Sequence, residues 1–378
     1  MSRDAVIVGA VRTPIGKRNG ALRDVHPVDL SAHVLRELAA RTGVDTARID
    51  DVIWGCVSQV GEQTYNVGRS AVLAAGWPEE VPATTIDRQC GSSQQAAEFA
   101  AAGVIAGRYD LVVAGGVESM TRIPLGSSAE VSGTPFGSTT LDRYGVEMFN
   151  QGIGAEMIAD KWGFDRRPAD EFGLLSHARA VEAIDAGRFA GQIAPVGEFA
   201  VDEGPRRGGT LDTVSGLRPA FRPDGVHTAA NSSQISDGAA ALLCTTSAVA
   251  TELGLRPLVR FHTSVVVGVD PVTMLTGPIP ATAKALRRSG LTLEDIGAFE
   301  VNEAFASVLL AWQAETGAPW ARVNPNGGAI ALGHPLGATG ARLMTSLVHH
   351  MVDNDIRYGL QTMCEGGGMA NATVLERI

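Results

Sequence analysis

Residues Tyr109–Gly116 read YDLVVAGG, and residues Tyr358–Gly366 read YGLQTMCEG. Both are apolar, strand-like runs that end in glycine. A second pair of similar segments, DVIWG at Asp51–Gly55 and AFEVN at Ala298–Asn302, has nearly the same separation of about 250 residues. Either match alone could arise by chance, but a shared offset predicts two related βα halves. We therefore expect one functional site where the two halves meet.

Strand-like and helix-like segments alternate along the first third of the chain. Strands are predicted at Ala5–Val11, Asp51–Gln59 and Asp110–Ser119, and helices at Pro27–Ala40 and Gly91–Ala106. The second helix carries small, apolar residues on nearly all sides, which is typical of a buried helix. This alternation predicts an α/β fold with layered sheets and helices.

The composition and pattern of the sequence change between residues 119 and 235. This segment begins with a run rich in Gly, Ser, Thr and Pro, and two helical stretches and a polar tract follow. A strand-like pattern returns at Gly238–Thr245. We therefore predict an N-terminal half (residues 1–118 and 236–258), an inserted loop domain (119–235) and a C-terminal half (259–378). Long excursions from a compact body usually serve binding.

Composition excludes several classes of protein. The 378 residues carry a formal charge of −10 and include 45 glycines, and no basic run suggests nucleic-acid binding. The apolar content of 45% excludes intrinsic disorder. The first residues are expected to form a strand, not a signal peptide, and no window has the length and apolarity of a membrane span.

The four cysteines, Cys56, Cys90, Cys244 and Cys364, are far apart and form no CxxC motif. A zinc ribbon is therefore not expected, and we predict no metal site. Free thiols in a chain of this composition favour a reducing compartment, the cytoplasm.

Two of the cysteines have neighbours that suit chemistry. Cys90 precedes the predicted buried helix, where the unpaired N–H groups of a helix start favour a thiolate. Cys364 begins CEGGGMA at a strand end, where glycines expose backbone N–H groups next to a thiol that could act as acid and base. The structural alternatives are a small buried hydrophobe at Cys90 and an inert cysteine in a turn at Cys364.

His334 and Asn302 are the other candidate site residues. His334 lies in a glycine-rich run and is followed by proline, which suggests the close approach of a reacting group. Asn302 and Glu303 follow a predicted strand. The asparagine could orient a water or a carbonyl, or it could simply cap the next helix.

Taken together, these motifs resemble the thiolase superfamily, and the resemblance extends over nearly the whole chain. The matching stretches are Arg12-Thr13-Pro14, Cys90-Gly91-Ser92, Ser236-Asp237-Gly238-Ala239-Ala240-Ala241, Asn302-Glu303-Ala304-Phe305, Gly333-His334-Pro335 and Cys364-Glu365-Gly366-Gly367-Gly368.

The resemblance implies two βαβαβαββ halves in an α-β-α-β-α arrangement, with a loop domain that covers coenzyme A. It implies reversible, CoA-dependent cleavage of a 3-ketoacyl-CoA. Cys90 would be the acylated nucleophile, His334 would take its proton, and Cys364 would be the second acid/base. Asn302 would hold a water that forms one oxyanion hole with His334, and the N–H groups of Cys90 and Gly366 would form the other.

The resemblance also implies CoA contacts within the loop domain and a homodimer or homotetramer. CoA is then a substrate, and no cofactor is expected. The implied contacts are Arg206, Leu217, Phe221, Ala229 and Ser233.

Four alternatives remain open from the sequence. A metal-binding Cys/His protein would need clustered ligands, and metal analysis of the purified protein would test it. Acetoacetyl-CoA synthesis from two acetyl-CoA uses the same chemistry, but many such enzymes resemble His-Met-Gly where this chain has Asn150-Gln151-Gly152. That difference favours the degradative type and longer or bulkier acyl chains. A ketoacyl synthase would be expected to have histidine in place of Cys364. A non-catalytic acyl-CoA-binding protein would tolerate loss of the motifs, and all of them are intact.

Overall fold

The computed structural model describes residues 3–131 and 133–378. The strands are β1 Val6–Arg12, β2 Gly16–Lys17, β3 Asp51–Gly55, β4 Ala83–Ile86, β5 Leu111–Ser119, β6 Ser236–Thr245, β7 Val259–Gly268, β8 Ala298–Val301, β9 Tyr358–Glu365 and β10 Met369–Arg377. The α-helices are α1 Pro27–Thr42, α2 Val67–Ala74, α3 Ser92–Ile105, α4 Ser127–Glu130, α5 Ser138–Tyr144, α6 Gln151–Trp162, α7 Arg166–Asp185, α8 Leu211–Ser215, α9 Ser247–Glu252, α10 Pro278–Ser289, α11 Ala306–Thr316, α12 Ala329–Leu332 and α13 Leu336–Asp353. Short 3₁₀ turns lie at Thr46–Arg48, Gly61–Gln63 and Trp320–Arg322.

The strand order confirms the α/β class and shows the predicted duplication. One connected sheet runs β4-β3-β5-β6-β1-β7-β10-β9-β8, with β2 beside β6. The first five strands belong to the N-terminal half and the last four to the C-terminal half. In the N-terminal half, β3 pairs in parallel with β5, and β5 pairs antiparallel with β6. In the C-terminal half, β8 pairs in parallel with β9, and β9 pairs antiparallel with β10. Within the sheet, the two halves pair through β1 and β7, with Val6 opposite Arg260 and Ile7 opposite Val259.

The C-terminal half lacks one expected strand. The N-terminal half has the predicted βαβαβαββ order, but the strand that would correspond to β4 is reduced to an isolated bridge between Phe299 and Val323. The next residue, Asn324, has a left-handed φ of 45°. Its Oδ1 accepts a hydrogen bond from the N–H of Val301 at 2.8 Å, and its Nδ2 donates one to the carbonyl of Val301 at 2.8 Å. A side chain therefore supplies the hydrogen bonds that a strand would have made.

Two helices form the central layer. The small residues of α3 and the start of α13 pack between strands of both halves in one buried cluster, which includes Ala96, Ala100, Val112, Leu242, Ala298, Ala341, Met344 and Leu375. On the outer faces, α1 and α2 cover the N-terminal strands, and α10 and α11 cover the C-terminal strands. The expected α-β-α-β-α layering is present.

The inserted segment carries α4 to α8 and returns to the sheet at β6, two residues before the predicted strand start. Its last residues contact the C-terminal half, because the N–H of Ser233 donates to the carbonyl of Ala304 at 2.9 Å. The division into three domains at the residues given above stays a prediction. In the described part of the chain, no helix has the length and apolar character needed to cross a membrane.

Candidate active site

Cys90 lies immediately before α3, in a buried cluster with Met120, Leu336, Leu343 and Met363. Burial raises the pKa of its thiol to about 12, and the nearby Glu365 carboxylate adds to this effect. The backbone N–H groups of Cys90 and Gly366 act in the opposite direction. Burial therefore outweighs the helix start, which corrects the expectation that this position favours a thiolate. A thiol in this setting needs a neighbouring base.

Cys364 and Gly366 lie next to Cys90. Cys364 is fully buried near the end of β9, and its thiol pKa is raised by burial and by the charges of Cys90 and Glu365. Gly366 follows in the turn between β9 and β10, where its N–H group reaches the sulfur of Cys90. Two of the three glycines in this turn, Gly367 and Gly368, have φ values of 81° and 76°. These left-handed angles explain why glycine occupies the turn.

His334 is buried in the loop between α12 and α13. Its Nδ1 lies 2.7 Å from the hydroxyl of Thr339, and that hydroxyl donates its own proton to the carbonyl of Pro335 at 2.7 Å. Thr339 can therefore only accept from Nδ1–H, so Nε2 keeps its lone pair. Burial lowers the pKa of His334 to about 3, and the Arg342 guanidinium contributes. The imidazole is thus neutral, with Nε2 free to take a proton.

Asn302 shares this part of the site with His334. Its Nδ2 lies 3.4 Å from His334 Nε2, and its buried Oδ1 has no hydrogen-bond partner among the described residues. A buried amide oxygen without a partner suits an ordered water. The alternative role as a helix cap is wrong, because α11 begins after Phe305 and has no side-chain cap.

Glu303 supports the loop that leads to His334. Its buried carboxylate accepts hydrogen bonds from Ser176 Oγ at 2.5 Å, Asn324 Nδ2 at 2.9 Å and the N–H of Ile330 at 3.1 Å. Burial raises its pKa, and these bonds oppose that shift. Glu303 therefore joins α7, the residues that follow β8 and the segment that precedes His334.

Residues between Leu174 and Ala230 of the inserted segment line a cavity of about 730 Å³. Arg206 and Leu217, two of the predicted CoA contacts, line it together with His177 and Thr213. His177 Nδ1 accepts the N–H of Arg206 at 3.0 Å, and burial lowers the pKa of His177 to about 4. The lining also includes the charged residues Glu182, Asp185 and Arg207, so the cavity combines apolar and charged side chains.

A second cavity of about 500 Å³ shares Arg206 with the first and includes Ala229 and Ser233. It is also lined by Lys17 and Arg18, which the sequence did not single out. Within the described residues, none of these three cations forms an ion pair with a carboxylate. Phe221, the fifth predicted contact, packs edge-on against Phe305 with ring centres 5.5 Å apart and lines neither cavity.

The chemistry-bearing residues predicted from the sequence thus form two adjoining groups. Cys90, Cys364 and Gly366 make one, and His334 and Asn302 make the other. Leu336, two residues after His334, packs in the same cluster as Cys90 and brings the groups together. Thr339 is not among the residues predicted from the sequence. Its position, five residues after a histidine in a glycine-rich run, could have suggested a partner for that histidine. In the described chain, no group of three His, Cys, Asp or Glu side chains could hold a metal ion.

Comparison with known proteins gives consistent results. Family models described as the N-terminal and the C-terminal domain of thiolase match residues 5–248 and 255–377. A steroid 3-ketoacyl-CoA thiolase (FadA6) of Mycobacterium tuberculosis is 51% identical over 387 residues, which cover 99% of this chain and 94% of that protein. A 3-ketoacyl-CoA thiolase of Bacillus subtilis is 42% identical over 392 residues, 99% of each chain. The crystal structure of a Bacillus anthracis acetyl-CoA acetyltransferase aligns with a TM-score of 0.91 at 38% identity, covering 100% of this chain and 99% of that one.

The tautomer of His334 can be tested by substitution of Thr339. Thr339→Val removes the one acceptor that the described residues offer the Nδ1 proton, while keeping the side-chain shape, so the proton can move to Nε2 and block the base. We expect alkylation of Cys90 by iodoacetamide at pH 7 to slow by about tenfold or more. Thr339→Ser keeps the hydroxyl and should stay within about threefold of wild type. Equal rates for the valine and serine variants would contradict the assignment of Nε2 as the base.

Proposed function

This chain belongs to the thiolase family, and we propose that it cleaves a 3-ketoacyl-CoA with CoA, giving acetyl-CoA and an acyl-CoA shortened by two carbons. It is then an acyltransferase of fatty-acid or related acyl degradation. The observation that carries the proposal is a pair of neighbouring buried thiols, Cys90 and Cys364, beside the start of the helix that follows His334. Full-length relatives named 3-ketoacyl-CoA thiolase, at 42–51% identity, support the same reaction.

In the first half-reaction, Cys90 gives its proton to His334 Nε2 and its sulfur attacks the 3-keto carbon. The C2–C3 bond then breaks, and its electron pair forms the acetyl-CoA enolate. Cys364 protonates C2 of that enolate, which releases acetyl-CoA and leaves a thioester on Cys90. The covalent intermediate divides one difficult step into two easier ones.

In the second half-reaction, the Cys364 thiolate takes the proton of the incoming CoA thiol. The CoA sulfur attacks the thioester carbonyl, and the released Cys90 thiolate recovers its proton from His334. A second thiol suits this task because it is protonated at rest and exchanges its proton within the buried site.

Negative charge forms at two different oxygens during the cycle. The N–H groups of Cys90 and Gly366 are proposed to stabilise the oxygen of the acyl group bound to Cys90. Protonated His334, with a water on Asn302, is proposed to stabilise the enolate oxygen. Two donor sets at separate positions meet the needs of a reaction with two oxyanions.

CoA is a substrate in this scheme, and the proton transfers and the covalent step use only side chains. We propose that its nucleotide end lies in the cavity lined by Arg206 and Leu217, and that pantetheine passes Ala229 and Ser233. Lys17 and Arg18 add positive charge to the second cavity, which suits phosphate groups. Phe221 is proposed to flank the path through its exposed edge.

The runner-up activity is acetoacetyl-CoA formation, and the structural relative at 38% identity is named an acetyl-CoA acetyltransferase. The more similar relatives carry the degradative name, and Asn150-Gln151-Gly152 departs from the short-chain pattern. A relative named for steroid acyl-CoA at 51% identity also favours bulky acyl groups. The four free, buried cysteines support a reducing compartment, so we propose that the enzyme works in the cytoplasm.

We further propose a homodimer, or a dimer of dimers, formed through the N-terminal half. In the described chain the outer edge of β4 has no strand partner, and Phe99 and Ile105 on the adjacent α3 are about half exposed. An open strand edge beside exposed apolar side chains suits pairing with a second copy. Light scattering at micromolar concentration should give at least twice the chain mass of 39.4 kDa. A purely monomeric sample would contradict this assembly.

Thiolysis of a graded series of 3-ketoacyl-CoA substrates, from four carbons to a ring-bearing acyl group, tests the reaction. We expect acetyl-CoA to form with longer or bulkier members at higher kcat/KM than with acetoacetyl-CoA. Cys90→Ala should abolish turnover, whereas Cys244→Ala, which removes an equally buried thiol far from the site, should retain it. Binding of acyl-CoA without turnover would instead favour the non-catalytic alternative, and activity confined to acetoacetyl-CoA would favour the runner-up.

A further inference from the structure

Glu118 is a buried carboxylate at the end of β5 that the scheme above does not use. Its Oε1 accepts hydrogen bonds from the N–H of Ser58 at 3.1 Å and from Gln63 Nε2 at 2.8 Å. Its Oε2 accepts from the N–H of Val57 at 3.0 Å and from the N–H of Gly337 at 2.9 Å. Four donors thus surround one side chain that is fully shielded from solvent.

These contacts require both carboxylate oxygens to be acceptors. A protonated acid or an amide would turn one oxygen position into a donor, which would face two N–H donors whichever way the group rotated. Burial raises the pKa of Glu118, and the four hydrogen bonds oppose that shift. The hydrogen bonds therefore identify Glu118 as an ionised carboxylate in which each oxygen accepts from two donors.

One of the four donors belongs to the opposite half of the molecule. Gly337 is the second residue of α13, and the residues immediately before this helix are His334 and Pro335. A carboxylate at the first turn of a helix binds its unpaired N–H groups and complements the helix dipole. Glu118, from the N-terminal half, thus caps the helix that directly follows His334, the proposed base, in the C-terminal half.

The cap is rigid because backbones pack closely around it. A Cβ atom at Gly337 would lie 2.5 Å from the carbonyl oxygen of Val117 and 2.7 Å from the Cα of Cys56. The same first turn orients the imidazole, since Thr339 receives the Nδ1 proton of His334. A shift of this turn therefore moves His334 relative to Cys90.

We propose that Glu118 is a positioning residue that fixes His334 against Cys90 by capping α13 across the junction of the two halves. The inference rests on the proposed role of His334 as the base. It assigns to Glu118 an effect on proton transfer and none on CoA affinity, because the carboxylate lies outside both cavities of the loop domain.

Glu118→Gln tests the proposal with little change in volume. We expect kcat for thiolysis to fall by about 10- to 100-fold, since a displacement near 1 Å can cost about 10²-fold, with KM for CoA within about threefold. Cys90 alkylation by iodoacetamide should slow at pH 7 and approach the wild-type rate at alkaline pH, where hydroxide replaces the displaced base. A merely structural role would lower thermal stability without changing this pH profile.

Glu118→Asp provides a second variant that keeps the charge but is too short to reach all four donors. Its kcat for thiolysis should fall by less than that of Glu118→Gln, and its KM for CoA should again stay nearly unchanged. Glu156→Gln is the matched control, because Glu156 is equally buried and accepts the N–H groups of Val226 and His227 within the loop domain. That variant should leave the pH profile of Cys90 alkylation unchanged.

The variant His334→Ala distinguishes a failure of the positioning role of Glu118 from a failure of the proposed function. If it slows alkylation at pH 7 while both Glu118 variants keep wild-type kcat and pH profile, the positioning role is wrong and the proposed function stands. If His334→Ala alkylates and turns over like wild type, the proposed base is wrong, and the role of Glu118 falls with it. The expected result is slow alkylation in His334→Ala and in Glu118→Gln, but not in Glu156→Gln.

Discussion

Direct packing of backbone against backbone at the junction of the halves is the constraint on which the site depends. The first turn of α13 reaches the ends of β3 and β5 so closely that Gly337 leaves no space for a side chain. Gly55 and Gly116 face the same contact, each with a carbonyl oxygen within 3 Å of where a Cβ would lie. This approach carries His334 from one half toward the cysteine of the other. The 45 glycines of the chain include these positions, where a larger residue would force the halves apart.

Burial at this junction determines the protonation of the reacting groups. It raises the pKa of both thiols and lowers that of His334, so the resting site holds neutral partners. Neutral groups avoid the cost of isolated charge in a poorly solvated interior, while a proton can pass from sulfur to imidazole once substrate is bound. In the proposed scheme, fixed N–H donors and a water held by Asn302 Oδ1 donate hydrogen bonds to the oxygens on which the reaction creates negative charge.

The sequence predicted the α/β class and the duplication, because strands ending in glycine are local patterns. Reactive side chains framed by glycine are local patterns too, and they carry the site residues, which stay a prediction. The missing strand of the C-terminal half was not predictable in this way, since Asn324 replaces it through contacts with residues more than twenty positions earlier. The pKa of Cys90 was misjudged for a related reason. A helix start is visible in sequence, whereas burial by Leu336 and Met363 depends on the folded chain. Lys17 and Arg18 join Arg206 only because β2 lies beside β6.

In the proposed mechanism the two buried thiols have different tasks: Cys90 is the nucleophile, and Cys364 is the proton carrier. Single-turnover thiolysis by Cys364→Ser, combined with mass spectrometry of the acylated peptide, tests this most directly. We expect an acyl group only on the peptide that contains Cys90 and a rate lower by about 10²–10⁴-fold, the usual contribution of a positioned acid or base. A rate within about threefold of wild type, or an acyl group found on Cys364 in the wild-type enzyme, would contradict it.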